Sequence, residues 1–137
     1  MRSARLAACV LAIIVVLGGR PVAHACRCGP PSGPSWCYRR AAMVALGTVR
    51  AVDGASGATA TVRVERAWKK KVGSEIRVQT ATTCAFDFHS GVAYLLFLYE
   101  TGDGGYYTSR CVGNVEASRA GAVIRWLERH GAEVTGP

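Results

Sequence analysis

The stretch Ala23-His24-Ala25-Cys26-Arg27-Cys28 constrains this chain more than any other, because a secretory cleavage site ends where a Cys-X-Cys begins. Residues 1–25 show the three parts of a signal peptide: Arg2 and Arg5, the apolar run Leu6 to Leu17, and small residues at Ala23 and Ala25. The run is too short and wrongly flanked for a stable membrane span. Cleavage leaves 137 − 25 = 112 residues, enough for one domain with a thin core, so we expect a signal peptide over 1–25 and a single domain over 26–137. The mature chain then begins with a cysteine whose free α-amine and own carbonyl form a five-membered chelate. A lipid-modified Cys26 is the competing reading. Its motif wants Leu where Ala23 stands and does not suit His24, so ordinary cleavage fits better.

Export places the chain in an oxidising setting, outside the cell or in a periplasm. Cys9 leaves with the signal, and Cys26, Cys28, Cys37, Cys84 and Cys111 remain. Two bridges and one leftover thiol allow 5 × 3 = 15 arrangements, and the residues alone leave the choice open. A Cys26–Cys28 bridge would close a strained ring, so both are expected to reach elsewhere. The signal carries three arginines and no acids, which leaves 14 basic against 9 acidic side chains, a balance of +5. Export, and the lack of interleaved basic and stacking residues, argue against nucleic acid.

Along the chain, the prolines at 30, 31 and 34 give Gly29 to Ser35 the character of a stiff extended ridge. Trp36 to Ala42 is expected to be a packing turn, with a short helix as the alternative. Met43 to Val52 reads as a strand ending in the turn cluster Asp53 to Gly57. Ala58 to Trp68 alternates, with Ala60, Val62 and Val64 on one face; Ser74 to Thr80 repeats this with Ile76 and Val78. Val92 to Tyr99 carries no charge and predicts a strand buried on both faces. Thr101 to Gly105 reads as a hairpin loop and Tyr106 to Arg110 as the return strand. Val115 to His130 shifts to helical spacing, capped by Asn114 or Ser118 and ended by Gly131, with a loose tail from Ala132. The sum is mainly β: a five-stranded antiparallel barrel of the oligonucleotide/oligosaccharide-binding type, with a C-terminal helix and a disulfide-stapled N-terminal segment.

Cys26-X-Cys28-X-Pro30-Pro31, then Cys37, Thr83-Cys84-Ala85-Phe86, the strand Gly91 to Phe97, and Thr108-Ser109-Arg110-Cys111 resemble the inhibitory domain of tissue inhibitors of metalloproteinases. More loosely, they are similar to netrin-like modules. The resemblance covers nearly all of the mature chain. It implies bridges Cys26–Cys84 and Cys28–Cys111, and it implies that the Cys26 amine and carbonyl ligate the catalytic zinc of an extracellular metalloprotease. Arg27 matches the residue aimed into the protease's specificity pocket, where a small hydroxyl residue is usual, so the implied pocket is acidic, deep or open. Cys28, Gly29, Pro30, Thr82 and Thr83 match cleft contacts on either side of the zinc. Cys37 matches a cysteine whose partner lies near the domain's end, and Val112 to Pro137 contains none, so Cys37 is expected to be unpaired. No cofactor or metal of the chain's own is implied, and a monomer is expected.

Other side chains favour plainer interpretations. Asp87, His89 and Ser90 imitate a hydrolase set, but no oxyanion device accompanies them, and we expect no enzyme. Asp103 is one carboxylate in a glycine turn, far short of a calcium cage. Lys69, Lys70 and Lys71 form a solvated bend or, on a second hypothesis, the contact of a netrin-like module with a matrix or envelope polyanion such as a polysaccharide.

Overall fold

A computed structural model describes residues 26–30, 32–54, 58–80 and 83–134. Residues 1–25, on which the expected signal peptide falls, Pro31, residues 55–57, 81 and 82 (Thr82 among them) and 135–137 lie outside the described residues. Helix α1, Pro34–Arg40, corrects the expectation of a ridge running through Ser35 into a turn. Pro34 opens it at a position that needs no N–H, and the Gly33 carbonyl accepts from the N–H groups of Trp36 and Cys37. Burial of Cys37 holds the short helix down, and Arg39 and Arg40 sit in the last turn, where the helix dipole favours cations.

The barrel is built from β1 (Met43–Asp53), β2 (Thr59–Trp68), β3 (Glu75–Thr80), β4 (Ala93–Glu100) and β5 (Tyr106–Thr108). They pair in the order β1-β2-β3-β5-β4, and β4 returns to β1 to close the ring. The pairings are antiparallel except β3 with β5, which run side by side from Val78↔Tyr106 to Thr80↔Thr108. Strand β1 serves two partners, Val44 facing both Trp68 and Phe97, and it bends at register shifts after Leu46 and Val49. Gly47 stands at the first bend. A Cβ there would lie 2.4 Å from the Arg63 carbonyl oxygen, so the close approach of β1 and β2 requires glycine.

Alternation fills the interior with Met43, Ala45, Val49, Ala60, Val62, Ile76, Val78, Leu96 and Leu98. The outward residues Val44, Trp68, Leu95 and Phe97 join Cys37, Ala41, Ala120 and Leu127 in a second cluster beneath the helices. Strand β4 is thus buried on both faces, which accounts for its run without charge.

The expected single helix over Val115 to His130 is three pieces. Val115–Glu116 forms β6 on the edge of β4, Ala117–Arg119 makes one 3-10 turn, and α2 spans Gly121–His130. Neither expected cap acts as one: Ala120 precedes α2, the Asn114 amide is used by the sheet, and the Ser118 hydroxyl donates to Glu116 at 3.3 Å. Gly131 does follow the last residue of α2, in extended conformation, and a Cβ there would come within 2.7 Å of the Leu127 carbonyl oxygen, so the close turn favours glycine. The chain beyond it is not loose as far as it is described. Glu133–Val134 forms β7 against the end of β2, and Arg66 grips the Glu133 carboxylate at 2.8 and 2.7 Å and Glu128 at 3.1 Å. The Arg66 contacts hold the Glu133 carboxyl below the usual carboxylate range. Among the described residues no helix is long and apolar enough to cross a membrane.

The close approach at Gly47 predicts that Gly47→Ala destabilises the fold by about 1–3 kcal/mol, because β1 must move off the Arg63 carbonyl. Urea unfolding of the two proteins measures it.

Candidate functional site

Cys26 to Gly29 follows no regular element, and its side chains are exposed except that of Cys26, which is half-buried. Two disulfides fix it: Cys26–Cys84 and Cys28–Cys111, each with Cα atoms 5.1 Å apart. The parallel pair explains how neighbouring cysteines reach both partners. Because β3 and β5 run the same way, the chain leaves Thr80 and Thr108 at the same end of the barrel, and Cys84 and Cys111 follow within a few residues. The Arg110 N–H donates to the Cys84 carbonyl at 2.9 Å and ties the two loops together. Residues i and i+2 of an extended segment are roughly 6.6 Å apart and adjacent strands roughly 4.8 Å, so a Cys-X-Cys segment is well matched to two neighbouring strand ends. The bridges touch, with Cys26 Sγ 3.7 Å from Cys111 Sγ.

The loops are themselves supported. The Phe86 N–H donates to Thr80 Oγ1 beyond Cys84, and Phe86 packs edge-on against Phe88 and Tyr94 at 5.0 and 5.3 Å between ring centres. On the Cys111 side, Asn114 Oδ1 accepts from the Phe97 N–H at 2.8 Å, while its amide donates to Thr108 Oγ1 at 2.7 Å and to the Ser109 carbonyl at 3.1 Å. Thr108, fully buried, donates in turn to the Phe97 carbonyl at 2.9 Å. This network joins the core of β4 to the loop that carries Cys111. The sequence does contain its signal, an Asn three residues beyond a cysteine, but helical periodicity nearby made it resemble a cap.

Arg27, Gly29, Pro30 and Thr83 are all exposed around the bridges; Thr82 lies outside the described residues. A cleft of about 280 Å³ runs beside them between Cys28, Gly29, Pro30, Arg110 and Gly113. The sulfurs of Cys26, Cys84 and Cys111 lie within 4.8 Å of one another, yet all belong to disulfides and offer no thiolate to a metal. Cys37 is the free thiol among the described residues. Burial pushes its pKa up, and the buried side chain lines the same cleft, where a Cβ on Gly113 would lie 2.8 Å from its sulfur.

The lysine triplet does not form one patch. Lys69 adopts a positive φ of 74° and turns its ammonium back onto α1, donating to the carbonyls of Tyr38 and Ala41; the Tyr38 contact is 2.9 Å. Lys70 pairs with Glu100, and Lys71 is left to the solvent. Of the residues that imitate a hydrolase set, the His89 backbone N–H meets Tyr94 Oη at 3.3 Å and the Ser90 hydroxyl donates to the Arg50 carbonyl at 3.2 Å.

No protein-family model matches the chain, and no curated protein matches it.

Asn114→Ala is expected to cost about 1–3 kcal/mol, because it leaves the inward Phe97 N–H without an acceptor. Hydrogen exchange at the Phe97 amide should accelerate along with the loss measured by urea unfolding.

Proposed function

We propose that the chain is exported, cleaved before Cys26, and inhibits an extracellular zinc metalloprotease one-to-one in the manner of the tissue inhibitors that it resembles. The observation that carries this is the double anchoring of Cys26 and Cys28 to two loops that are bonded to each other. An anchored terminus loses little freedom on binding, and a chelating group gains most from being fixed in advance. A catalytic zinc has three protein ligands and one open position. The Cys26 amine and carbonyl would take that position and displace the water from which the protease makes its nucleophile.

The surroundings suit insertion into a protease cleft. Gly29 and Pro30 present a narrow, exposed ridge on one side of Cys26, and Thr83 is exposed beside Cys84 on the other. Arg27 lies between the two bridged cysteines and would enter the specificity pocket. Its guanidinium is costly to bury without a partner, so the preferred target has an acidic or water-filled pocket. The chain contributes backbone donors and a positively charged side chain, and the metal belongs to the target.

Acetylating the mature terminus, or adding one residue before Cys26, is expected to abolish inhibition while the melting temperature stays unchanged. Undiminished inhibition by the blocked protein would refute the mechanism. The ligating amine must be neutral, and a free α-amine titrates near pH ~7.7–8.0, so affinity should fall about tenfold for each pH unit below that value. Inhibition constants between pH 6 and 8.5, corrected for the protease's own titration, measure this.

A further inference from the structure

The bridges Cys26–Cys84 and Cys28–Cys111 bring four sulfurs to one place, and they are close across the bridges as well as along them. Cys26 Sγ lies 3.7 Å from Cys111 Sγ, to which it is not bonded, and the sulfurs of Cys26, Cys84 and Cys111 all lie within 4.8 Å of one another. Cys28 Sγ, bonded to that of Cys111, joins the same cluster. A tetrahedral zinc with bonds of about 2.3 Å holds its sulfurs roughly 3.8 Å apart. The unbonded pair therefore already stands at the spacing of two ligands on one cation. Cys37 is outside the group, its sulfur 3.8 Å from the Ser32 carbonyl oxygen.

Two of the four cysteines are held by contacts other than the bridges. The Arg110 N–H donates to the Cys84 carbonyl at 2.9 Å, and Asn114 ties the loop of Cys111 to β4 through the Phe97 N–H and the Ser109 carbonyl. With the bridges open, Cys84 and Cys111 are thus still kept side by side, and Cys26 and Cys28 enter from one segment that reaches both. The charge fits as well. Four thiolates on one cation carry a net negative charge, and the exposed Arg27 and Arg110 in these same segments make no ion pair among the described residues.

We propose that in its thiol form the chain binds one soft, thiolate-seeking cation, zinc(II) or copper(I), through Cys26, Cys28, Cys84 and Cys111. Cysteines are synthesised as thiols, so this form precedes the disulfides and needs no reductant. On binding, each thiol gives its proton to the solvent and a sulfur lone pair to the metal. Oxidation by a disulfide reagent then forms each bridge, the reagent taking up two electrons and two protons and leaving as two thiols. The cation is released, because a disulfide sulfur is no longer a thiolate. The same four residues serve as ligands before oxidation and as staples after it. This site holds whether or not the chain inhibits a protease, and its cation is not the protease's.

The test is anaerobic titration of the phosphine-reduced protein with cobalt(II), a spectroscopic stand-in for zinc, followed by zinc(II) or copper(I). Saturation at one cobalt per chain is expected, with thiolate charge-transfer absorption and the visible bands of a tetrahedral site; the unreduced protein should show neither. Displacement of cobalt by zinc, by copper(I) or by both says which of the two the site takes. Cys37→Ser should bind as the parent does. Adding Cys84→Ser or Cys111→Ser to it should weaken binding at least about tenfold, the cost of losing even an outer partner of a ligand. The metal should also slow hydrogen exchange at the Phe97 amide, because Asn114 joins that amide to the loop of Cys111. An unfolded chain that merely gathers metal would show no such protection. Failure to bind any of the three cations, an equal loss from Cys37→Ser, or binding that leaves exchange at Phe97 unchanged would each overturn the proposal.

Discussion

The parallel pairing of β3 with β5 is the constraint on which the rest of this structure depends. In a wholly antiparallel meander, successive loops alternate between the two ends of a sheet. Here two adjacent strands release the chain at the same end, and the loops that follow carry Cys84 and Cys111. Cys26 and Cys28 then need only lie across that end. The bridges enclose sequence separations of 58 and 83 residues, and on the chain-entropy model loops of that size contribute roughly 4 kcal/mol each. A small barrel with a thin core benefits from such staples, and its exposed Arg27–Pro30 segment becomes part of a rigid end.

The second constraint is the burial of β4 on both faces. Its inward side chains fill the barrel, and its outward ones, Leu95 and Phe97, form the floor for α1 and α2. The same strand supplies the Phe97 amide and carbonyl to Asn114 and Thr108, so the loop bearing Cys111 is tied to the most buried strand in the molecule. Core and candidate site are therefore not separable layers. A disturbance in β4 passes through two hydrogen-bonding side chains to the anchor of the N-terminal segment.

Much of this was legible in the chain. Period-two alternation marked β2 and β3, the uncharged run marked β4, and glycine-rich turns marked the joints, because each is a local consequence of which face meets the core. What could not be read was set by partners distant in sequence. The 15 cysteine arrangements become one only when the strand ends are placed. Val115 lies in helical register with α2, yet the open edge of β4 captures it. Asn114 has the chemistry of a cap, and a buried amide on another strand claims it first. Lys69 belongs by sequence to a basic run, but its backbone turn directs it to the carbonyl end of α1, and only a tertiary contact could reveal that. Tyr106 and Tyr107 read alike in the chain, but strand alternation buries the first and exposes the second.

The enclosure of Cys37 bears on how such a chain matures. In an unfolded chain Cys26, Cys28, Cys37, Cys84 and Cys111 all compete for an oxidant, and the fold pairs four of them. In the folded chain the Cys37 sulfur is buried beside Gly113 while the other four are paired. Burial that raises the Cys37 pKa also slows its attack on a disulfide, since the thiolate is the nucleophile, so the folded chain protects the pairing it has made.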